Sequence, residues 1–114
     1  MRAEELKGHL DALLLATLEG GPRHGYAVIE ALRQSTGGQL DLPTGTIYPA
    51  LRRLEQAGLI AGTWSVVGGR RRREYRLTPA GVQALTGRRA AWRDFAAVVT
   101  AALEDKACPS PSPA

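Results

Sequence analysis

The sequence predicts a mostly α-helical domain with one small β-hairpin and a long closing helix. Three observations predict it. Apolar residues recur at helical spacing in three short segments before Gly58. The pattern then changes to two runs of strand formers joined by Gly68-Gly69. Beyond Thr78 the helical period returns and continues almost to the end of the chain. Three helices, a hairpin and a further helix, in that order, are the winged helix-turn-helix arrangement.

The first helix is expected from Ala3 to Leu18, because Leu6, Leu10, Leu13, Leu14 and Leu18 form one apolar face. EGGPRHG (Glu19–Gly25) stops it. A second helix follows from about Gly25 to Thr36, with Val28, Ile29 and Leu32 inward, and TGGQLDLP breaks it. The third runs from about Thr44 to Ala57. Ile47, Leu51 and Leu54 share its inner face and Thr44, Tyr48, Arg52 and Glu55 its outer face, with Pro49, Arg53 and Gln56 partly outward. Gly58 is placed to end it as a C′ glycine. If the helix starts at Thr44, Pro49 costs a hydrogen bond and the first turn is strained or 3₁₀.

Leu59–Val67 and Arg73–Thr78 read as the strands of the hairpin, with Arg70, Arg71, Arg72 and Arg73 at its tip and on the return strand. Trp64, on the first strand, is expected to pack against the helices. Thr78 is a good N-cap and Pro79 a good first residue for the last helix, which extends to about Asp105. Leu85, Trp92 and Val99 recur every seven residues, with Phe95, Ala96 and Leu103 beside them, as in a short coiled-coil seam. Residues 1–78 thus form the winged domain, 79–106 a dimerisation helix, and 107–114 a Pro/Ser tail disordered by composition.

Charge narrows the function. The chain of 114 residues carries a net +4. Residues 43–77 hold seven arginines and two glutamates, net +5, whereas residues 1–42 hold four basic and six acidic residues, net −2. The positive field therefore belongs to the third helix and the hairpin, which suits an anionic partner. Cys108 is the sole cysteine, which permits no intrachain disulfide and fits a reducing compartment. With neither a signal-peptide pattern nor an apolar run long enough to span a bilayer, a soluble cytoplasmic protein is expected.

The third helix has the chemistry of a recognition helix. Thr44 and Thr46 can donate to phosphates or touch thymine methyls, Tyr48 stands one turn beyond Thr44, and Arg52 and Arg53 suit phosphates or guanines. A run of arginines at a Gly-Gly turn has few structural uses, since it neither caps a helix nor fills a core.

Other chemistries lack support. His9 and His24 have no companions at zinc-ligand spacing, and no metal or cofactor is expected. The serines have no His/Asp partners, acid pairs sit at helix ends, and EGGPRHG matches no phosphate-loop spacing. Catalysis is not expected.

The segments HGYAVIEALRQ, LPTGTIYPALRRLEQAGLI, RRRREYRLTPAG and RRAAWRDF together resemble the PadR family of bacterial transcriptional regulators, over about Leu10 to Leu103. The single C-terminal helix resembles the short branch of that family. The resemblance implies a homodimeric repressor that binds a pseudo-palindromic operator on duplex DNA. It places Tyr26, Thr44, Thr46, Tyr48 and Pro49 at DNA-facing positions, and pairs the first and last helices between subunits. The apolar residues those helices offer to such an interface are Leu6, Leu10, Leu85, Trp92, Phe95, Val99 and Leu103. Many members respond to a small molecule. Here Trp92 among small alanines, with Arg89, Arg93 and Ala96 nearby, suggests a flat apolar slot for a planar aromatic effector. The competing functional class is a winged-helix adaptor that binds another protein and reads no DNA.

Overall fold

The computed structural model describes residues 8–104. It contains helices α1 (Leu10–Thr17), α2 (Gly25–Ser35), α3 (Thr44–Gln56) and α4 (Pro79–Leu103), and strands β1 (Arg23–His24), β2 (Ile60–Val67) and β3 (Arg70–Leu77). The strands form one antiparallel sheet in the order β1-β3-β2. The helices and the β2–β3 wing follow the predicted order. The third strand, β1, was not anticipated, because two residues carry no readable period.

The first helix is shorter than predicted. Gly8 has φ +92 and forms a turn with His9, so an α-helix cannot run through it. Leu6 and the tail 107–114 lie outside the described residues.

One core joins the helices. Leu14, Leu15 and Leu18 of α1, Val28 and Leu32 of α2, and Ile47, Ala50, Leu51 and Leu54 of α3 are all buried. Leu40 and Leu42 tuck the α2–α3 loop beneath them. Thr36 organises that loop, donating to the Leu32 carbonyl at 2.7 Å and accepting from the Leu40 N–H at 3.0 Å.

α3 starts at Thr44, so Pro49 falls inside it and its first turn is tightened. The Pro43 carbonyl accepts from both Thr46 N–H (2.9 Å) and Ile47 N–H (3.1 Å), the first being a 3₁₀-type bond. Its end is a Schellman motif at Gly58, φ +78. The Gly58 N–H donates to Glu55 and the Leu59 N–H to Leu54, each at 3.0 Å. The wing turns at Gly68 (φ +59) and Gly69 (φ +79), a pair of left-handed residues that matches a type I′ hairpin.

Thr78 fastens α4 to the rest. Its hydroxyl accepts from the Gly81 N–H at 3.1 Å and donates to the Gly58 carbonyl at 2.6 Å. Gly81 is required there, because the Leu59 carbonyl occupies the space a Cβ would need. Ion pairs then hold α4 to α1. Arg89 forks onto the Glu19 carboxylate at 2.7 and 3.0 Å, and Arg88 lies 4.0 Å from Asp11.

Leu85 requires a correction. The heptad pattern groups it with Trp92, yet it is 3% exposed and belongs to the core of its own chain. The N-terminal part of α4 lies on the domain, where Gly81 and Leu85 are buried, and beyond it the helix carries an open apolar stripe. Leu10 is likewise half-buried against that core. Leu85→Ala is therefore expected to lower unfolding free energy by about 2–5 kcal/mol. Urea denaturation at two protein concentrations should give the same loss at both. A loss present only in dilute protein would return Leu85 to an intermolecular contact.

Candidate nucleic-acid interface

Helix periodicity decides what α3 shows outward. With Ile47, Leu51 and Leu54 in the core, Tyr48 and Arg52 must project from the opposite side. They form one wall of a cleft of about 750 Å³. The start of α2, from His24 to Tyr26, forms a second wall, and the wing forms the third through Trp64, Arg71, Arg72, Arg73 and Tyr75. Four arginines and one glutamate, Glu55, line the space, a net +3.

Tyr48 has a seat prepared by sequence. A Cβ on Gly25 would collide with the Tyr48 ring, so the buried glycine of HGY lets α2 and α3 approach and holds the phenol at the cleft rim. Tyr48 remains exposed there, and Tyr26 beside it is more so. Thr44 and Pro49 are exposed and Thr46 half-buried, at the end of α3 that leads into the cleft.

Strand alternation divides the four arginines. Trp64 pairs in register with Arg73 and Val66 with Arg71, so these residues share the face turned to α3. Ser65 and Val67 pair with Arg72 and Arg70, whose side chains leave β3 on the other face; Arg72 reaches the cleft at the β1 edge of the sheet, beside His24. Arg71 stacks its guanidinium 4.6 Å from the Trp64 ring centre, and Arg73 lies at 5.3 Å. Trp64 is thus 58% exposed, with both guanidinium groups within cation–π distance of its ring. It does not pack on the helices as predicted, because strand alternation aims it into the cleft beyond their reach.

Two arginines expected to be free are engaged within the chain. Arg73 lies across Gly62, where no side chain intervenes, and pairs with Glu55 of α3. That hydrogen bond raises the Arg73 pKa and ties the wing to the outer edge of α3. Arg53 pairs with Asp11 of α1, away from the cleft. Its position on α3, one residue past Arg52, points it around the helix toward α1. Among the described residues, Arg52, Arg70, Arg71 and Arg72 make no ion pair.

The face of α4 beyond Leu85 is open. Trp92 (52%), Phe95, Val98 and Leu103 are exposed, while Ala96 and Val99 are half-buried. Trp92 meets His9 edge-on at 5.3 Å and Phe95 at 6.0 Å. Val98 escaped the heptad reading because that reading aligned the seam on Leu85. Arg89, expected near a ligand, is held by Glu19, whose pKa its hydrogen bond lowers in turn. Among the described residues no acidic, histidine or cysteine group gathers as metal ligands do, and no helix is long and apolar enough to cross a membrane.

Helices α1 to α3, the wing and the basic cleft between them define a winged helix-turn-helix protein. The chain belongs to the PadR-like family of transcriptional regulators, whose family model matches residues 14–87. It is 45% identical over 74 residues to transcriptional regulator Rv3488 of Mycobacterium tuberculosis, a match covering 65% of this chain but 56% of that protein. A PadR family regulator from Eggerthella lenta superposes with a TM-score of 0.77 at 34% identity, covering 89% of this chain and 87% of that one. Bacillus subtilis PadR, solved in complex with operator DNA, superposes with a TM-score of 0.64 at 26% identity, covering 69% of this chain and 45% of that one.

Tyr75, on the wing side of the cleft, is itself buried. Burial, with the Glu55 charge adding to it, pushes the Tyr75 phenol up. A raised phenol pKa gives stability that is whole below the unfolded tyrosine value, near 10, and is lost as pH rises through the folded one. Absorbance titration of the three tyrosines should show one late component, and Tyr75→Phe should remove it. A late component that survives the substitution would show that Tyr75 is not its source.

Proposed function

We propose that this chain is a homodimeric, sequence-specific DNA-binding repressor of the cytoplasm that answers to a small effector. The observation that carries the reading is the cleft. Its recognition helix, its second-helix tyrosine and its wing converge around unpaired arginines on one side of the molecule. The solved operator complex of Bacillus subtilis PadR supports the same class of partner.

In this reading Thr44, Thr46, Tyr48 and Arg52 enter the major groove of a duplex operator, with Tyr26 and Pro49 at the rim. Arg70, Arg71 and Arg72 hold phosphates or the minor groove. Arg73 serves mainly as the brace to Glu55, and Arg53 contributes little. A second copy covers Trp92, Phe95, Val98, Val99 and Leu103, since such a stripe is large for a monomer of this size. A two-fold dimer would set its recognition helices about 34–36 Å apart and so favour a pseudo-palindromic operator.

Duplex binding across a salt series tests this. Each lost phosphate contact should flatten the slope by about 0.9, so Arg71→Ala should do so and Arg73→Ala should do so by less. Tyr48→Phe should cost on the order of 1 kcal/mol of affinity with the fold intact. A protein that binds no duplex at low salt, yet captures a protein partner through the wing, would instead be an adaptor.

The effector proposal rests on Trp92. Paired indoles at a two-fold axis would form a flat slot for a planar aromatic molecule, with Arg93 and Ala96 at its edge. In a Trp64→Phe background, such aromatics should quench Trp92 emission at micromolar levels and weaken operator binding by about 1–3 kcal/mol. Unchanged emission across a panel, with Trp92→Ala affecting only dimer stability, would leave Trp92 as packing alone.

A further inference from the structure

His24 makes a contact that its own chain cannot satisfy. Its Nδ1 accepts the Ala27 N–H at 3.2 Å, which caps α2. A neutral imidazole carries one proton, so that cap places the proton on Nε2. Yet Nε2 stands 3.1 Å from Nη1 of Arg72, a group that only donates. Two donors therefore face each other. Moving the proton to Nδ1 relieves the Arg72 contact but sets Nδ1–H against the Ala27 N–H. Adding a second proton leaves a cation beside a guanidinium. Every protonation state leaves one donor facing another.

An anionic oxygen between the two groups removes the conflict. It accepts from His24 Nε2–H and from the Arg72 guanidinium together, and the α2 cap stays intact. Both residues line the cleft, and among the described residues Arg72 has no carboxylate partner. They come from β1 and β3, whose register sets His24 opposite Glu74, two residues from Arg72 on the same face. For a DNA-binding protein, the anion that reaches such a rim is a backbone phosphodiester. We infer that His24 and Arg72 form a clamp for one backbone phosphate of bound DNA, a reading that rests on the DNA-binding function proposed above.

Asparagine at position 24 separates clamp from cap. Its side-chain oxygen can still cap α2, but it has no donor at the reach of Nε2. His24→Asn should keep native circular dichroism and melting, and weaken duplex binding by about tenfold, the worth of a hydrogen bond to a charged oxygen. Its salt slope should stay that of the wild type, because a neutral imidazole displaces no counterion. Arg72→Ala should weaken binding and flatten the slope by about 0.9. The double variant should lose less than the product of the two single losses, since both groups hold one oxygen. A folded His24→Asn protein that binds as tightly as the wild type, or losses that multiply independently, would overturn the clamp. A wild-type protein with no duplex affinity at low salt would remove the DNA reading and the clamp with it.

Discussion

The apolar stripe of α3 is the constraint on which the structure depends. Ile47, Ala50, Leu51 and Leu54 are at most 2% exposed, and the α1 and α2 leucines close over them. Full burial of one side at a period of 3.6 leaves no freedom for the other. Tyr48 and Arg52 must face out, and Arg53 must turn to α1. The Schellman turn at Gly58 then directs the chain into β2, and Thr78 closes the circuit by binding the Gly58 carbonyl. α3's outer face, the wing and α4 all take their directions from that single packed face.

A second, smaller constraint sets the wing. Glycine at position 62 lets the Arg73 side chain lie flat and reach Glu55, which fixes the hairpin against α3. The remaining wing arginines gain from this arrangement. Arg71 is stiffened by the indole of Trp64, and Arg72 is aimed at His24. An arginine run that looks uniform in sequence thus holds different roles: a brace, a stacked cation and a clamp. Strand alternation turns Arg72 away from Arg71 and Arg73, and Gly62 separates the brace from the stacked cation by letting Arg73 alone lie across it.

The sequence revealed the helices, the hairpin, the Gly58 stop and the Thr78 cap, because each depends on a local period or a local backbone preference. Tyr48 and Arg52, which a single helix face turns outward, line the cleft, and so does Tyr26, which the family resemblance puts at a DNA-facing position. What escaped the sequence depends on distant partners. Arg53 and Arg73 look free until Asp11 and Glu55 are brought to them. Trp64 looks like core until strand alternation is seen to turn it into the cleft. Leu85 fits a heptad with Trp92, but the domain claims the first turns of α4 before any partner can. β1 is two residues long, and only β3 defines it. Residue pairs such as His24 and Arg72, 48 apart in the chain, leave no mark on sequence periodicity.

The central claim is that the cleft between α3 and the wing is the surface that meets DNA. Titrating isotopically labelled protein with a duplex and following its backbone amide resonances tests this residue by residue. The largest shifts are expected on Gly25 and Tyr26, on Thr44 to Tyr48, and on Arg70 to Arg73, with the Trp92 to Leu103 stripe little changed. Shifts confined to that stripe, with the cleft silent, would contradict it.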